Sequence, residues 1–361
     1  MSGRPRVLYI SAHCPSKSAP FAGHRTAQKF LTEYANGADV DLIVIANADE
    51  KKYLAPPSSV RLLKYVSLNW LSKLKNVLCS CQVFPLRAFS RYQKTILRLI
   101  KNTYQQYDVI HFEFTHGAVY LYLLKELLKG KKTIVSSHDI LLQSAMRKRT
   151  HNPIRWCANA FETYSTYFFE KAIYDAATEI WVHNPKDAQI LESIFLIPTE
   201  KIKIKTPAVS EFVEKVAQKR LGKEKSGSKT LLFWGAMNRV ENDEAAFEFI
   251  QQHDKTLVER GYKLLVVGAS PSKRLLARQS AAVQIIGFVD DPSDYFLQAD
   301  VGIAPLLSGA GIKVKTLEML RSGLPVVATP IGAEGITDPR LYVADLSQFM
   351  QTIDQLLQQN L

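Results

Sequence analysis

Short apolar runs recur along the chain, each closed by Gly, Pro, Ser or Asp and followed by a stretch with helical spacing. In the first half such runs predict strands at 6–11 (RVLYIS), 40–46, 60–66, 108–114, 132–137, 179–183 and 201–205. Helical spacing between them predicts helices at 26–34, 158–177 and 186–194. Thr206-Pro207 closes this series, and the polar, glycine-bearing segment 215–229 (KVAQKRLGKEKSGSK) reads as a linker or its exposed neighbour. The alternation then restarts, with strands at 231–234, 263–267, 283–286, 301–307 and 325–328 and a helix at 244–253. Strand–helix alternation repeated on both sides of one break predicts an α/β chain of two Rossmann-like domains with parallel sheets, 1–207 and 208–361.

One stretch, 301–336 (VGIAPLLSGAGIKVKTLEMLRSGLPVVATPIGAEGI), concentrates the chemistry. A buried strand runs into Ser308-Gly309-Ala310-Gly311, and apolar residues then recur at Ile312, Val314, Leu317 and Leu320 until Gly323 and Pro325 stop the helix. A helix start above a parallel sheet offers unpaired N–H groups and partial positive charge. Lys313 and Lys315 sit in that first turn, where a helix favours acids. Their placement is rational if an external anion brings the negative charge. Glu318, one turn on, is spaced to accept hydrogen bonds from a sugar hydroxyl.

This stretch resembles the donor-nucleotide segment of GT-B glycosyltransferases, particularly the family 4 group of retaining enzymes (glycosyl transferases group 1). Their pattern is G-x-G-[I/L]-x-x-K-x-x-E-A-M-A-x-G-x-P-V-V-A-T followed by a Gly. Gly309, Gly311, Ile312, Lys315, Glu318, Gly323, Pro325, Val326, Val327, Ala328, Thr329 and Gly332 stand in it. The resemblance implies a GT-B fold whose two domains face a central cleft, the second holding a nucleotide-diphosphate sugar and the first an acceptor. It makes Glu318 the ribose carboxylate and puts Gly309, Ala310, Gly311, Ile312, Lys313 and Lys315 at the donor. Ala310 stands where the family often has a second glutamate toward the donor sugar. Ala236 and Asn242, after the strand that ends at Gly235, stand where it often has the Arg and Lys of a diphosphate site. The resemblance leaves Arg239, Lys313 and Lys315 to neutralise the diphosphate, and assigns the backbone of Phe288 or Val289 in the GFVDD loop to the base. In the first half it puts Glu113, His138 and Asp139 at strand ends facing the cleft, as catalytic candidates. Gly23, His24 and Arg25 of the PFAGHRT loop lie by the same resemblance near phosphates and acceptor.

Composition narrows the classes. With 361 residues, 47% of them hydrophobic, the chain can bury two ordinary cores. No apolar run approaches the roughly eighteen residues of a membrane span, and the N-terminus enters a strand with no signal-type apolar region. Cys14, Cys79, Cys81 and Cys157 lack zinc or redox spacing and read as reduced thiols of a cytoplasmic protein, with no metal site or cofactor expected. The net charge of +12 is uneven: 51–107 holds eleven Lys and Arg and no acid. Arg91, Lys94, Arg98 and Lys101 share a helical face there, which suits anionic lipid headgroups at the inner face of a membrane. No nucleic-acid motif accompanies the charge, and Phe89 and Tyr92 fall on the apolar face. Asp39-Val40-Asp41 spells a DxD at the start of a strand, and no strand is followed by the G-x-G-x-x-G of a dehydrogenase. The C-terminal stretch 346–361 is short for the long return helix that GT-B chains usually carry.

The expectation is a retaining, metal-independent glycosyltransferase acting on a sugar or lipid-linked acceptor, in surface polysaccharide or glycolipid assembly. A catalytically silent GT-B paralogue and a GT-B nucleotide-sugar epimerase are the rival readings.

Overall fold

A computed structural model describes residues 3–19, 21–69, 71, 89–148, 150, 152–221 and 228–358. Lys73, Lys75, Arg87, Cys79, Cys81 and 222–227 therefore lie outside the described residues. The chain divides into two compact units, Met1–Ala208 and Val209–Leu361.

Among the described residues the first unit is built on seven parallel strands: β1 (Arg6–Ser11), β2 (Asp39–Asn47), β3 (Val60–Leu68), β4 (Val109–Glu113), β5 (Lys132–Ser136), β6 (Glu179–Val182) and β7 (Ile202–Ile204). Their order in the sheet is β3-β2-β1-β4-β5-β6-β7. The second unit repeats the plan with β8 (Thr230–Trp234), β9 (Lys263–Val267), β10 (Val283–Gly287), β11 (Val301–Ala304), β12 (Val326–Ala328) and β13 (Leu341–Val343), ordered β10-β9-β8-β11-β12-β13. Helices cover both faces, so the central strands are continuous apolar runs: Val7 to Ile10 and Leu231 to Phe233 are essentially inaccessible. In each sheet the winding reverses once, between β1 and β4 and between β8 and β11, and ligands of doubly wound sheets sit above such reversals.

Two sequence expectations are corrected. The polar segment taken as a linker begins as a helix, Phe212–Arg220, that buries Val213 and Val216 and ties Arg220 to the carbonyls of Phe296 and Ala299 at 2.8 and 3.1 Å. Its amphipathic spacing was hidden among lysines. The basic face of 91–101 is also incomplete, because the helix is Lys94–Thr103 and Arg91 lies before it, buried. Lys94, Arg98 and Lys101 remain exposed. Among the cations of 51–107, Arg61 is neutralised by a bidentate pair with Asp41, both contacts 2.6 Å. That pair, with Tyr107 donating to Asp41 at 2.7 Å, gives the second acid of the DxD a structural role.

Candidate functional site

In the second unit, the ends of β8 and β11 carry the expected donor residues. The helix expected to start near 311 starts at Val314, with Lys313 as its cap residue, and it buries Thr316, Glu318, Met319 and Leu320 rather than Val314 and Leu317. The two lysines diverge. Lys313 is buried and turned inward, donating to the Gly311 carbonyl at 2.6 Å with Glu334 at 3.4 Å, so its charge is met internally and not displayed to an anion. Lys315 points the other way, onto the Asn242 side-chain carbonyl and over the Phe233 ring, 5.6 Å from its centroid. Burial, then the nearby charge of Arg239, pushes the Lys315 ammonium down to about 7. Lys315 thus reaches the place where Asn242 offers no charge of its own.

Gly235 is the floor of this pocket: a Cβ there would lie 3.4 Å from the Lys315 Nζ and 3.1 Å from the Asn242 amide. Its carbonyl is pressed against the end of β9, where a Cβ on Gly268 would stand 1.8 Å from the Gly235 oxygen. Arg239 precedes the helix Val240–Glu259, exposed and paired with Glu241 at 2.7 Å. Glu318 is buried. Its Oε1 accepts from the Ser210 N–H and hydroxyl at 2.9 and 2.7 Å, and its Oε2 from the Trp234 indole at 2.8 Å. Gly309, Ala310, Gly311 and Ile312 form the turn before the helix, with both glycines at positive φ (117° and 69°). Phe288 is 69% exposed just after β10, while Val289 packs against the core.

In the first unit, β4 ends in Glu113 and β5 runs out to His138. Glu113 is fully buried and does not face solvent as expected. Its Oε2 accepts from the His111 Nε2 at 2.6 Å and its Oε1 from the His138 Nε2 at 2.5 Å. A carboxylate only accepts, so both Nε2 atoms carry protons. Burial raises the Glu113 carboxyl, but the two histidines outweigh it and hold it well below the usual carboxylate range. Tyr34 reaches the far side of His111 at 3.3 Å. The result is a wire, Tyr34–His111–Glu113–His138, that leaves the His138 Nδ1 facing Gly23.

That loop is close. A Cβ on Gly23 would lie 3.4 Å from the His138 Nδ1 and 3.0 Å from the Phe114 ring. Phe114 itself holds a positive φ of 69° directly after Glu113 and stacks on His138, ring centroids 3.9 Å apart. Backbone strain of this kind costs on the order of 1–3 kcal/mol and gathers where a side chain must be aimed. Asp139 is half-buried at the turn into the helix Leu141–Met146, its charge adding to the burial that raises Glu170 to about 8. Arg25 donates to the Ala19 carbonyl at 3.4 Å.

His24 belongs to a second cluster that sequence reasoning missed. Glu50 accepts from the Cys14 N–H at 3.1 Å and the Asn47 amide at 2.9 Å, contacts His13 Nδ1 at 3.2 Å, and lies 3.7 Å from His24 Nε2. Burial would raise its carboxyl, yet the His13 bond and the donors around it bring it down to about 2. Burial lowers His24 to about 4, so it is neutral. The ligand atoms of His13, His24 and Glu50 lie within 4.8 Å of one another, close enough for a metal ion. Buried Arg91 argues against one: its guanidinium donates to His13 Nε2 at 3.3 Å, which puts the His13 proton on Nδ1, on the Glu50 side. A cation is already in place there. His183, also missed, packs edge-on against His138 at 4.6 Å. Glu50 and Arg91 sit far from any motif, and only the fold brings them to β1.

Residues 228–359 match the family model described as Glycosyl transferases group 1. The second unit carries a glycosyltransferase group 1 domain. The whole chain has the GT-B fold, as its structural likenesses show. One is to Anabaena HepE in complex with UDP and glucose (TM-score 0.62, 12% identity, covering 99% of this chain and 91% of that one). Another is to WaaG, a glycosyltransferase involved in lipopolysaccharide biosynthesis (0.61, 14%, 98% and 93%). A third is to a UDP-forming trehalose-phosphate synthase of Burkholderia vietnamiensis (0.60, 11%, 98% and 89%). No curated protein sequence matches the chain. The group 1 match spans the strand ends that carry Gly235, Lys315 and Glu318, and none of the first unit.

Proposed function

We propose that this chain moves a sugar from a nucleotide-diphosphate donor, UDP-linked in the first instance, to a saccharide or lipid-linked acceptor, with retention at the anomeric carbon. The carrying observation is Lys315: an ammonium pushed to about 7, beside Gly235 and Arg239, at the β8–β11 reversal of a group 1 domain. A diphosphate arriving there restores the charge of Lys315. As the glycosidic bond breaks, negative charge grows on the leaving oxygen, and a fixed, poorly solvated ammonium stabilises that growth more than it stabilises the bound donor. Lys315 and Arg239 thus do the neutralising in this proposal, in place of a metal ion. Glu318 orients the ribose. In the first unit Glu113 is a positioning residue: it fixes the tautomer and ring plane of His138, whose Nδ1 meets the acceptor. HepE and WaaG support UDP-sugar chemistry and surface-glycan assembly as the context, and the exposed Lys94, Arg98 and Lys101 support attachment to an anionic membrane face.

The test is a thermal-shift panel of UDP, GDP, dTDP and ADP with their glucose conjugates, since specific binding raises stability by mass action. One nucleotide series should stabilise the protein, and Glu318→Ala should abolish that gain. If no nucleotide shifts the melting temperature, or Glu318→Ala responds like the parent, the assignment fails. Binding without turnover on any acceptor would instead mark a silent paralogue.

A further inference from the structure

The long helix Pro153–Ala176 does not sit on the first unit along its whole length. Its buried residues begin at Ser165, and the first two turns are exposed on nearly every side. Helix starts in water are normally polar. This one carries Ile154 (80% exposed), Trp156 (63%) and Phe161 (52%), followed on the next turns by exposed Tyr164 and Phe168. Met146, 65% exposed at the end of the preceding helix, lies a few residues upstream. Six large apolar or aromatic side chains within 146–168 exceed the scattered exposure of an ordinary soluble surface.

The charge of the same segment selects what covers it. Between 146 and 168 the sequence has Arg147, Lys148, Arg149 and Arg155, together with His151, against a single acid, Glu162, which pairs with Lys148, so the segment stays net cationic. A protein–protein interface core is depleted in charged residues, lysine among them. Aromatic residues alternating with cations on an exposed helix end instead suit the boundary between anionic headgroups and acyl chains. There the rings insert and the Lys and Arg heads stay at the phosphates. Asn152 caps the helix through the Arg155 N–H at 3.1 Å with Pro153 in its first turn, so this end is pre-formed and pays little ordering cost on docking.

We propose that residues 146–148 and 152–168, led by Trp156 and Phe161, form an insertion surface for an anionic lipid bilayer. It gives the membrane attachment in the functional reading a definite surface, distinct from the helix Lys94–Thr103, and its test does not depend on donor or acceptor. Full-length protein is mixed with vesicles of phosphatidylcholine alone, or with 30% phosphatidylglycerol as an on-the-order-of physiological anionic content, and sedimented. Trp156 fluorescence is followed in parallel, with size-exclusion chromatography for self-association. Binding is expected only to the anionic vesicles, with a blue shift that Trp156→Phe abolishes. Trp156→Ser/Phe161→Ser should weaken binding tenfold or more, and Arg155→Glu by roughly fivefold for each unit of charge changed. UDP binding should be unchanged in both. Equal sedimentation of the Trp156→Ser/Phe161→Ser variant and the parent overturns the proposal. So does a parent dimer that the same variant converts to monomer with vesicle binding intact, which would assign the face to a second copy. Loss of vesicle binding in Lys94→Glu/Arg98→Glu alone would return the attachment to that helix and also overturn it.

Discussion

Replacing Lys315 with methionine should stabilise the empty protein and disable it for nucleotides. The lysine is held at about 7 in the folded chain against 10.5 ordinarily. At pH 7 the unfolded chain holds that proton almost fully and the folded chain only about half. Integrating the difference over this interval gives a cost of about 4 kcal/mol at neutral pH. Methionine keeps the apolar stem over Phe233 and removes the ammonium. It also leaves the Asn242 carbonyl without its lysine donor, which returns about 1–2 kcal/mol. The net gain is about 2 kcal/mol, or about 4–8 °C in melting temperature for a unit of this size. The sign with pH follows from a base whose folded pKa is depressed. Between about 7 and 10.5 the unfolded state binds more protons, so parent stability rises with pH through that window. Below it the penalty is constant. The advantage of Lys315→Met should therefore be full at pH 6–7 and vanish near pH 10, while the stabilisation by UDP seen in the parent is lost. Thermal melts of both proteins at pH 6.5, 8 and 9.5, with and without UDP, decide it. A variant that melts below the parent at pH 7, or a gap that does not narrow as pH rises, refutes the reasoning.

Three further outcomes follow from the geometry. Glu113→Gln puts an amide NH₂ where one histidine donates, so His138 loses its fixed tautomer; transfer should fall by about 10²–10⁴-fold with UDP binding intact, measured by product formation against calorimetric titration. Glu318→Ala strands the Ser210 and Trp234 donors in a buried site and should cost about 2–4 kcal/mol in urea unfolding besides losing nucleotide. Gly23→Ala brings a methyl to 3.0 Å from Phe114 and 3.4 Å from His138; stability should drop by only about 1 kcal/mol in thermal melts, with a disproportionate loss of transfer as the His138 ring is displaced.

How much of this was legible depended on where the information lies along the chain. The parallel sheets were readable because both faces are covered, which turns strands such as 6–11 and 231–234 into unbroken apolar runs. The glycine turn and the helix after it were readable because Gly309 through Glu318 are contiguous. What failed were side-chain directions. Two positions apart in sequence, Lys313 and Lys315 looked equivalent, yet the first, at the cap position, turns inward to Gly311 and Glu334 while the second projects over Phe233. Arg91 fitted a basic stripe by spacing, but the helix begins after it, and its guanidinium enters the sheet edge to donate to the Ile45 carbonyl at 3.1 Å. Periodicity assigns a face only within an element, and both errors lie at element ends.

The two units also differ in how their chemistry is encoded, and this bears on what each can tolerate. The lysine site of the second unit is assembled from one turn and the strand ends beside it, so a family pattern can find it, and Lys315 there reaches the Asn242 side chain. The wire in the first unit runs through Tyr34, His111, Glu113 and His138, which come from one helix, one strand and the exit of another. The charge at its centre is buried between two imidazoles, with the Tyr9 phenol also in reach of Glu113. A change at the centre leaves a neighbour with an unmet donor or acceptor in a dry interior, at a cost of about 1–3 kcal/mol. The first unit, which the family pattern does not cover, is therefore where substitutions should be least forgiving.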